Sequence, residues 1–258
     1  VTGVEASELM FKLARRWGYQ VKGIPQGEAI IVGARGNFHG RSMTAVSLSD
    51  DPEAREGFGP FVPGIELVPF NDIVALETLF KQKSECIAAY LVEPIQGEAG
   101  VIVPDEDYWP KVAKLCKEYN ILLALDEVQT GFYGSGKPWF WQHTTTKPDI
   151  VSFGKKTQTC GIYANDRIDE IEENVFNRSS RINSTWGGNL VDMVRCTKFI
   201  EIIERDRIAD QVTSVGEFVV EGLRDIARES DVFTSIRGKG SLIAFTMPSE
   251  QHRKAMLR

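Results

Sequence analysis

The stretch ILLALDEVQTG at residues 121–131 is the clearest indication of the fold in this chain. Five apolar residues run directly into Asp126 and Glu127, with no turn residue between them. A continuous apolar run of this kind predicts a strand that is covered on both faces, as in a parallel sheet. The strand then presents two carboxylates at its carboxyl end, which is the edge where open α/β sheets bind ligands.

Two further predicted strands also end in ionisable residues. CIAAYLVEP (86–94) carries Glu93 near its end, and PDIVSFGKK (148–156) ends in Lys155 and Lys156. The carboxyl ends of parallel strands lie along one edge of the sheet. Three such endings therefore predict a site at this edge that combines carboxylates with an amine.

Helices and strands alternate along the first two thirds of the chain. Apolar residues at helical spacing predict helices, and short apolar runs predict more strands. The predicted helices and further strands are helix 5–19, strand 29–36, strand 65–70, helix 71–83 capped by Asn71, and helix 105–120. This alternation predicts an α/β fold in which helices cover both faces of a mostly parallel central sheet.

The pattern changes after residue 189. Long amphipathic helices are predicted at 189–206 and 208–230, and SIRGKGSLIAFTMP (235–248) predicts two short strands around a glycine turn. We expect a large domain over 1–210 and the beginning of a small α+β C-terminal domain over 211–258. The small domain is expected to be incomplete, and a segment is expected to be missing before residue 1.

Charge and composition exclude several classes of partner. The chain has 36 acidic and 30 basic residues, a net charge of −6, which disfavours nucleic-acid binding. No apolar run is long enough to span a bilayer, and the first residues do not resemble a signal peptide. The four cysteines lack metal-ligand spacing and are expected to be reduced thiols. These features predict a soluble, cytoplasmic chain with no metal, nucleic-acid or membrane partner.

An amine and an acid on neighbouring strand ends indicate a particular chemistry. A lysine can form a Schiff base with an aldehyde cofactor, and a pyridine ring needs an acid beside its nitrogen to act as an electron sink. The glycine-containing helix start TGVEASE (2–8) can hold a phosphate group. GNFHGR (36–41) offers Phe38 to cover a ring face, whereas His39 is expected to be an ordinary packed histidine.

Seven segments of the chain together resemble the class III aminotransferases, which are pyridoxal 5'-phosphate-dependent enzymes of fold type I. They occur in the family's order, and IRGKGSLIAF (236–245) extends the match into the small domain. The segments are TGVEA (2–6), GNFHGRSM (36–43), GFGPFVPGI (57–65), VEPIQGEAG (92–100), LDEVQTG (125–131), PDIVSFGKK (148–156) and STWGGN (184–189).

The resemblance implies roles for the residues around the cofactor ring. Lys155 matches the Schiff-base lysine that also moves protons, and Asp126 matches the acid that pairs with the ring nitrogen. Gln129 matches a residue near the phenolic oxygen, and Phe38 matches the stacking aromatic. Lys156 is the local alternative to Lys155, although strand alternation sends the two side chains in opposite directions.

Other matched residues concern the phosphate, the subunit partner and the fold. Gly3 and Val4 match the helix start that binds the phosphate, and Thr185 matches a phosphate ligand that the family supplies from the other subunit of a homodimer. Glu93 matches a core acid near the active site. The structural alternatives are that Asp126 is a helix cap, that Phe38 is an ordinary core residue and that Gln129 only holds its loop in place.

Two residues concern the substrate. Arg41 matches the arginine that binds a substrate carboxylate in this family. The planar guanidinium fork is well suited to binding a carboxylate. Glu98 matches the acid that pairs with a second arginine and switches the site between substrates. The alternatives are that Arg41 is a solvated surface charge and that Glu98 pairs with a structural arginine.

The resemblance also implies a reaction. The first half of the chain is similar to ornithine δ-aminotransferases, and the second half is similar to lysine ε-aminotransferases and, more distantly, to 4-aminobutyrate aminotransferases. We therefore expect transfer of the terminal amine of a diamino acid, with ornithine favoured, to 2-oxoglutarate by a ping-pong mechanism. The alternatives are lysine or 4-aminobutyrate as donor, a racemase or mutase of the same family, a non-catalytic relative and an inactive fragment. A mitochondrial matrix location is expected if a transit peptide is missing.

Overall fold

The centre of the protein is a six-stranded sheet in a computed structural model that describes residues 2–230 and 233–256. The strands lie in the order β2-β1-β3-β4-β5-β6, and every neighbouring pair is parallel except β5 with β6. The strands are β1 (Ile30–Ala34), β2 (Ile65–Val68), β3 (Ile87–Val92), β4 (Leu122–Asp126), β5 (Ile150–Phe153) and β6 (Gly161–Ala164). Every residue of β3 and β4 is buried, as their continuous apolar sequences predict.

Helices cover both faces of this sheet, which confirms the predicted α/β architecture. On one face α1 packs its buried stripe, which includes Met10, Leu13 and Trp17, against the sheet. On the other face α4 and α5 enclose a second core around Phe80 and Tyr108. The helices of this part are α1 (Gly3–Gln20), α2 (Met43–Leu48), α3 (Pro52–Arg55), α4 (Ile73–Lys83) and α5 (Tyr108–Glu118).

The later part of the chain forms two long helices and a hairpin. These elements are α6 (Leu190–Arg205), α7 (Ile208–Glu229), β7 (Thr234–Lys239), β8 (Leu242–Thr246) and α8 (Glu250–Met256). The hairpin packs on α7 very closely, because a Cβ on Gly216 would lie only 2.4 Å from the carbonyl oxygen of Gly240. The predicted domain boundary at 210/211 falls inside α7, and the division into two domains stays a prediction.

Several element boundaries differ from the predicted ones. The strand predicted to reach residue 156 ends at Phe153, and a short 3-10 turn follows at Lys155–Thr157. Asp72, not Asn71, caps α4, because its side chain accepts a hydrogen bond from Ala75. Asn71 has a left-handed backbone with φ 63° and accepts a hydrogen bond from the Asp105 amide.

The sheet order brings the three predicted acid and lysine endings together. β3, β4 and β5 are adjacent and parallel, so their carboxyl ends lie side by side at one edge. The loop after β1 and the first turn of α1 reach the same edge.

None of the helices in the described ranges combines the length and apolar character needed to cross a bilayer.

Candidate active site

A cavity of about 170 Å³ lies at the carboxyl edge of the sheet. Six of the nine predicted site residues line it, namely Gly3, Val4, Phe38, Asp126, Gln129 and Lys155. Its remaining lining residues are Ser7, His39, Gly40, Glu93 and Val128. The cavity thus combines one amine, two carboxylates, an imidazole, an aromatic ring and the beginning of a long helix.

Asp126 is a buried acidic group of the cavity. It is 4% exposed and ends β4, where its Oδ2 lies 2.7 Å from Nδ1 of His39. Ser7 donates to Oδ2 at 3.2 Å, while Ser152 and the Val128 amide donate to Oδ1 at 2.9 and 3.1 Å. Burial alone would raise the pKa of Asp126, but the hydrogen bond and charge of His39 outweigh it and lower the pKa. Asp126 is therefore a carboxylate at neutral pH.

His39 is more than a packed histidine. Its side chain is fully enclosed, and Nδ1 pairs with Asp126. Burial opposes protonation of the ring, but the hydrogen bond and the charge of Asp126 raise the pKa of His39, with a smaller contribution from Glu93. Its Nε2 is buried and has no hydrogen-bond partner among the described residues. The structure therefore pairs the His39 ring with Asp126, which favours the ionised form of that carboxylate and fixes its orientation.

The two lysines after β5 have different surroundings. Lys155 lines the cavity, and its Nζ lies 3.4 Å from Oε1 of Gln129. The Nζ of Lys156 instead donates to the backbone carbonyl of Gln129 at 2.6 Å, outside the cavity lining. Burial, followed by the positive charge of Lys155, lowers the pKa of Lys156. Lys155 also has a left-handed backbone, with φ 52°, a conformation that costs a non-glycine residue about 1–2 kcal/mol.

The first turn of α1 forms one end of the cavity. The amides of this turn have no carbonyl partner within the helix, and the helix dipole adds a partial positive charge there. Gly3 is packed so closely that a Cβ on it would lie 2.9 Å from Cγ1 of Val128. Gly40 has φ +122°, and a Cβ on it would collide with Val4 at 2.3 Å. These glycines allow the backbone to approach closely, as an anion-binding helix start requires.

Glu93 connects the loop after β1 to the loop after β3. Its Oε1 accepts a hydrogen bond from the Phe38 amide at 2.9 Å, and its Oε2 accepts one from the Gly97 amide at 3.1 Å. Burial raises the pKa of Glu93 to about 7, against the opposing charge of His39. Phe38 is 36% exposed, so one part of its ring remains open to the cavity. The sequence predicted that Glu93 lies at this edge. Nothing in the sequence indicated its hydrogen bonds with the Phe38 and Gly97 amides.

Arg41 and Glu98 line a second cavity, of about 460 Å³, which shares Phe38 and His39 with the first. Both side chains are exposed, and the Arg41 guanidinium lies 5.3 Å from the centroid of the Phe38 ring. This distance is within the range of a cation–π contact. The structure therefore brings together the two residues assigned to the substrate and places them beside the cavity that contains Lys155.

Thr185 lies outside both cavities. It is exposed, and the neighbouring Ser184 hydroxyl donates to Oε1 of Glu5 at 3.0 Å, which places this segment near the start of α1. The role assigned to Thr185 requires a second subunit, so it stays a prediction.

Ser7 and Ser152 are site residues that the sequence did not reveal, and Glu127 was predicted to lie at this edge without a defined role. Ser7 is a buried polar residue on the apolar face of α1, and Ser152 interrupts the apolar strand IVSF. A small hydroxyl within a buried apolar stripe is the signal that identifies them. Glu127 is 1% exposed, and its carboxylate accepts hydrogen bonds from Thr130 and from the Phe140 and Trp141 amides. It therefore organises the loop after β4.

Known families and structures match this chain along its whole length. The family model described as aminotransferase class-III matches residues 1–258. The ornithine aminotransferase of Emericella nidulans is 39% identical over 260 residues, which cover 95% of this chain and 56% of that protein. The mitochondrial ornithine aminotransferase of Rattus norvegicus is 42% identical over 249 residues, covering 95% of this chain and 55% of that protein.

Solved structures give the same result. An ornithine aminotransferase from Toxoplasma gondii, described with partial occupancy of PLP at its active site, superposes with a TM-score of 0.87 at 34% identity. That match covers 96% of this chain and 58% of the other. A lysine aminotransferase from M. tuberculosis superposes with a TM-score of 0.88 at 34% identity, covering 96% and 62%. This chain therefore spans less than two thirds of the length of each of these relatives.

Proposed function

The chain belongs to the class III aminotransferases, and from this membership we propose that it takes part in pyridoxal 5'-phosphate-dependent transfer of an amine to a 2-oxo acid. The observation that carries the proposal is the meeting of Lys155 and Asp126 in one enclosed cavity. An amine and a buried, ionised carboxylate that His39 fixes in place are the two groups that this chemistry requires of the protein.

The residues of the cavity fit the cofactor. When bound, pyridoxal 5'-phosphate supplies an aldehyde that bonds amines and a protonated ring that withdraws electrons. Asp126 is an ionised acceptor for a cationic ring nitrogen, and Phe38 supplies a partly exposed aromatic side chain at the cavity. Gly3 and Val4 line the cavity, so the start of α1 is accessible to a phosphate group. The T. gondii relative, described with PLP at its active site, supports the same assignment.

Each residue then has a defined task. Lys155 supplies the primary amine and moves a proton at its Nζ, and Gln129 accepts a hydrogen bond from that nitrogen. Asp126 holds a proton on the ring nitrogen, and His39 keeps Asp126 ionised. The amides of Gly3 and Val4 bind the phosphate through the positive end of the α1 dipole.

We propose the terminal amine of a diamino acid as the donor and 2-oxoglutarate as the acceptor. Arg41 and Glu98 lie together beside the Lys155 cavity, where a carboxylate some distance from the reacting amine would be bound. The E. nidulans and rat relatives, both named ornithine aminotransferase, favour ornithine, and the M. tuberculosis structure keeps lysine as the alternative. We keep the cytoplasm or the mitochondrial matrix as the proposed compartment.

Donor preference tests this proposal directly. The loaded protein should consume 2-oxoglutarate one-for-one with ornithine, and ornithine, lysine and 4-aminobutyrate should be compared side by side. A racemase or mutase would convert the donor without consuming the 2-oxo acid. A protein that shows no visible absorbance after incubation with the cofactor and removal of the unbound cofactor would instead be a non-catalytic relative or an inactive fragment.

Arg41→Ala should weaken the use of ornithine far more than the use of a simple alkyl monoamine. A bidentate contact between arginine and carboxylate is worth on the order of 1.5–3 kcal/mol, which predicts a loss of roughly tenfold to 150-fold in kcat/KM for ornithine. Arg35→Ala is the matched control, because Arg35 is also an exposed arginine near this loop. The Arg35 guanidinium pairs with the Asp50 carboxylate at 3.7 Å. Equal losses for ornithine and the monoamine would show that Arg41 does not bind the carboxylate.

We also propose that two chains form an isologous dimer with shared sites. α6 has no buried residue among those described, even though it carries several large apolar side chains. Leu190 is 78% exposed, and Val191 and Val194 are exposed beside it. Trp186, one residue after Thr185, is 67% exposed. Contiguous exposed apolar side chains of this kind mark a protein interface. A second copy that covers this surface would bring Thr185 to the phosphate site of its neighbour.

Mixing two inactive variants tests the shared site. A Lys155→Ala subunit still supplies Thr185, and a Thr185→Ala subunit still supplies Lys155. If Thr185 serves the neighbouring site, a mixed dimer contains one intact site, so an equimolar mixture should recover about a quarter of the wild-type activity. Each variant assayed alone is the control. If Thr185 acts within its own chain, mixing should give no recovery.

A further inference from the structure

The segment IRGKGSLIAF contains one charged side chain that joins two parts of the molecule. Nε of Arg237, on β7, donates to the carbonyl oxygen of Gly100 at 2.9 Å. Its Nη1 donates to the Ser235 carbonyl at 2.7 Å and to the Thr246 hydroxyl at 3.1 Å. One guanidinium thus spans the β7–β8 hairpin and the loop after β3. Arg237 itself lines neither of the two cavities described above.

The backbone of β7 is irregular beside Arg237, which agrees with the direction of this side chain toward the loop after β3. The pairing of β7 with β8 shifts register between Thr234 and Arg237, and Ser235 has φ 48°. An irregularity of this kind bends a strand and redirects its side chains, in contrast to regular pleating. Gly238 then follows with φ +141°, where a Cβ would lie 2.0 Å from the Leu242 carbonyl oxygen.

The loop that receives Arg237 is short and is held at both ends. Gly100 and Val101 donate to the Gly97 carbonyl at 3.0 and 3.1 Å, which closes a tight turn over residues 97–101. At the start of the turn, the Gly97 amide donates to Glu93. At its end, a Cβ on Gly100 would lie 3.1 Å from Nη2 of Arg237. Glu98, exposed in the second cavity, lies between these two attachments.

We propose that Arg237 is a positioning residue for substrate selection, which acts by fixing the loop that carries Glu98. This inference rests on the proposed function and deepens it. Arg237 holds the end of the turn, so the hairpin sets the place of the Glu98 carboxylate relative to Arg41. A change in the position of the hairpin would then change which substrate groups this pair admits.

Hydrogen exchange tests the attachment without substrate or cofactor. Arg237→Gln should speed exchange of the backbone amides at 96–102 by about tenfold or more, the scale of one lost charge-assisted hydrogen bond, while amides of β4 remain unchanged. Arg237→Lys should give an intermediate effect and serves as the second variant if the glutamine variant does not fold. Arg253→Gln, an exposed arginine on α8, is the control. Unchanged exchange at 96–102 in both Arg237 variants would overturn the proposal.

Donor selectivity tests the consequence for Glu98. The readout is the ratio of kcat/KM for ornithine to kcat/KM for glutamate, which presents an α-amine. Arg237→Gln and Glu98→Ala should shift this ratio in the same direction, and the double variant should shift it no further than Glu98→Ala alone, because residues that act as a unit are not additive. Additive shifts, or equal losses for both donors, would overturn the role in selection. A protein that transaminates neither donor would overturn the proposed function, and the exchange experiment would still decide the attachment.

Discussion

Borohydride reduction of the cofactor-loaded protein should leave the cofactor covalently attached to Lys155 and not to Lys156. Replacing Lys155 with alanine should lower kcat by roughly 10⁴-fold, the upper end of the range for a positioned proton-transfer group, because this residue also supplies the bonded amine. The structural reason is location, since Lys155 lines the cavity that contains Asp126. Peptide mapping after reduction identifies the labelled lysine, and stopped-flow measurement of each half-reaction gives the rate.

Lys156→Ala is the matched control for this experiment. Its Nζ donates to the Gln129 carbonyl outside the cavity lining, so its loss should disturb the neighbouring loop and cost about tenfold in kcat, the lower end of the scale for one charge-assisted hydrogen bond. The assignment would be wrong if the label appeared on Lys156. It would also be wrong if Lys155→Ala kept more than a few per cent of the wild-type rate.

Asp126→Asn should lower the rate by at least about 100-fold, the usual scale for removing one preorganised electrostatic contact in an active site. An amide cannot hold a proton on the ring nitrogen through a negative charge. The substitution also leaves the buried imidazole of His39 without its carboxylate, so the pKa of His39 should fall. The fold and the cofactor should both be retained, because Asn keeps the size of the side chain and its single carbonyl oxygen can still accept the hydrogen bonds that Ser152 and the Val128 amide donate to Oδ1.

Three measurements separate this result from simple unfolding. Far-ultraviolet circular dichroism reports the fold, visible absorbance reports the bound cofactor, and the single-turnover rate reports the chemistry. Asp107→Asn, which changes an exposed carboxylate paired with Lys111 on α5, is the control. An Asp126→Asn variant that reacts within a few-fold of the wild-type rate would contradict the proposed role of Asp126.

The sequence predicted the sheet and the location of the site because both depend on local patterns. A continuous apolar strand that ends in acids can be recognised without any knowledge of its neighbours, and β4 is such a strand. β6 was not predicted, because its sequence GIYA (161–164) begins with a glycine, has no continuous run of large apolar residues and is only partly buried. α2 and α3 were missed because four to six residues are too few to show a helical period.

Contacts between distant segments could not be predicted from the sequence. His39 and Asp126 are separated by 87 residues, and only the parallel order of β1, β3 and β4 places them at one edge. From the sequence, strand alternation was expected to point the side chains of Lys155 and Lys156 in opposite directions. The strand ends before both residues, and the 3-10 turn produces the separation instead. The preference for Lys155 agrees with the structure, although the physical reason differs.

The left-handed backbone of Lys155 matters for protein engineering. Glycine adopts a positive φ at no steric cost, whereas alanine at φ 52° keeps the Cβ clash that the native lysine already tolerates. Removing the side chain with glycine would therefore relax the turn and open a channel for small molecules from the solvent. A chemist who wishes to supply a diffusible amine in place of the tethered one should start from the glycine variant. Reaction rates measured with free amines of increasing size and basicity would then show how much of the rate contribution of Lys155 depends on its covalent attachment to the chain.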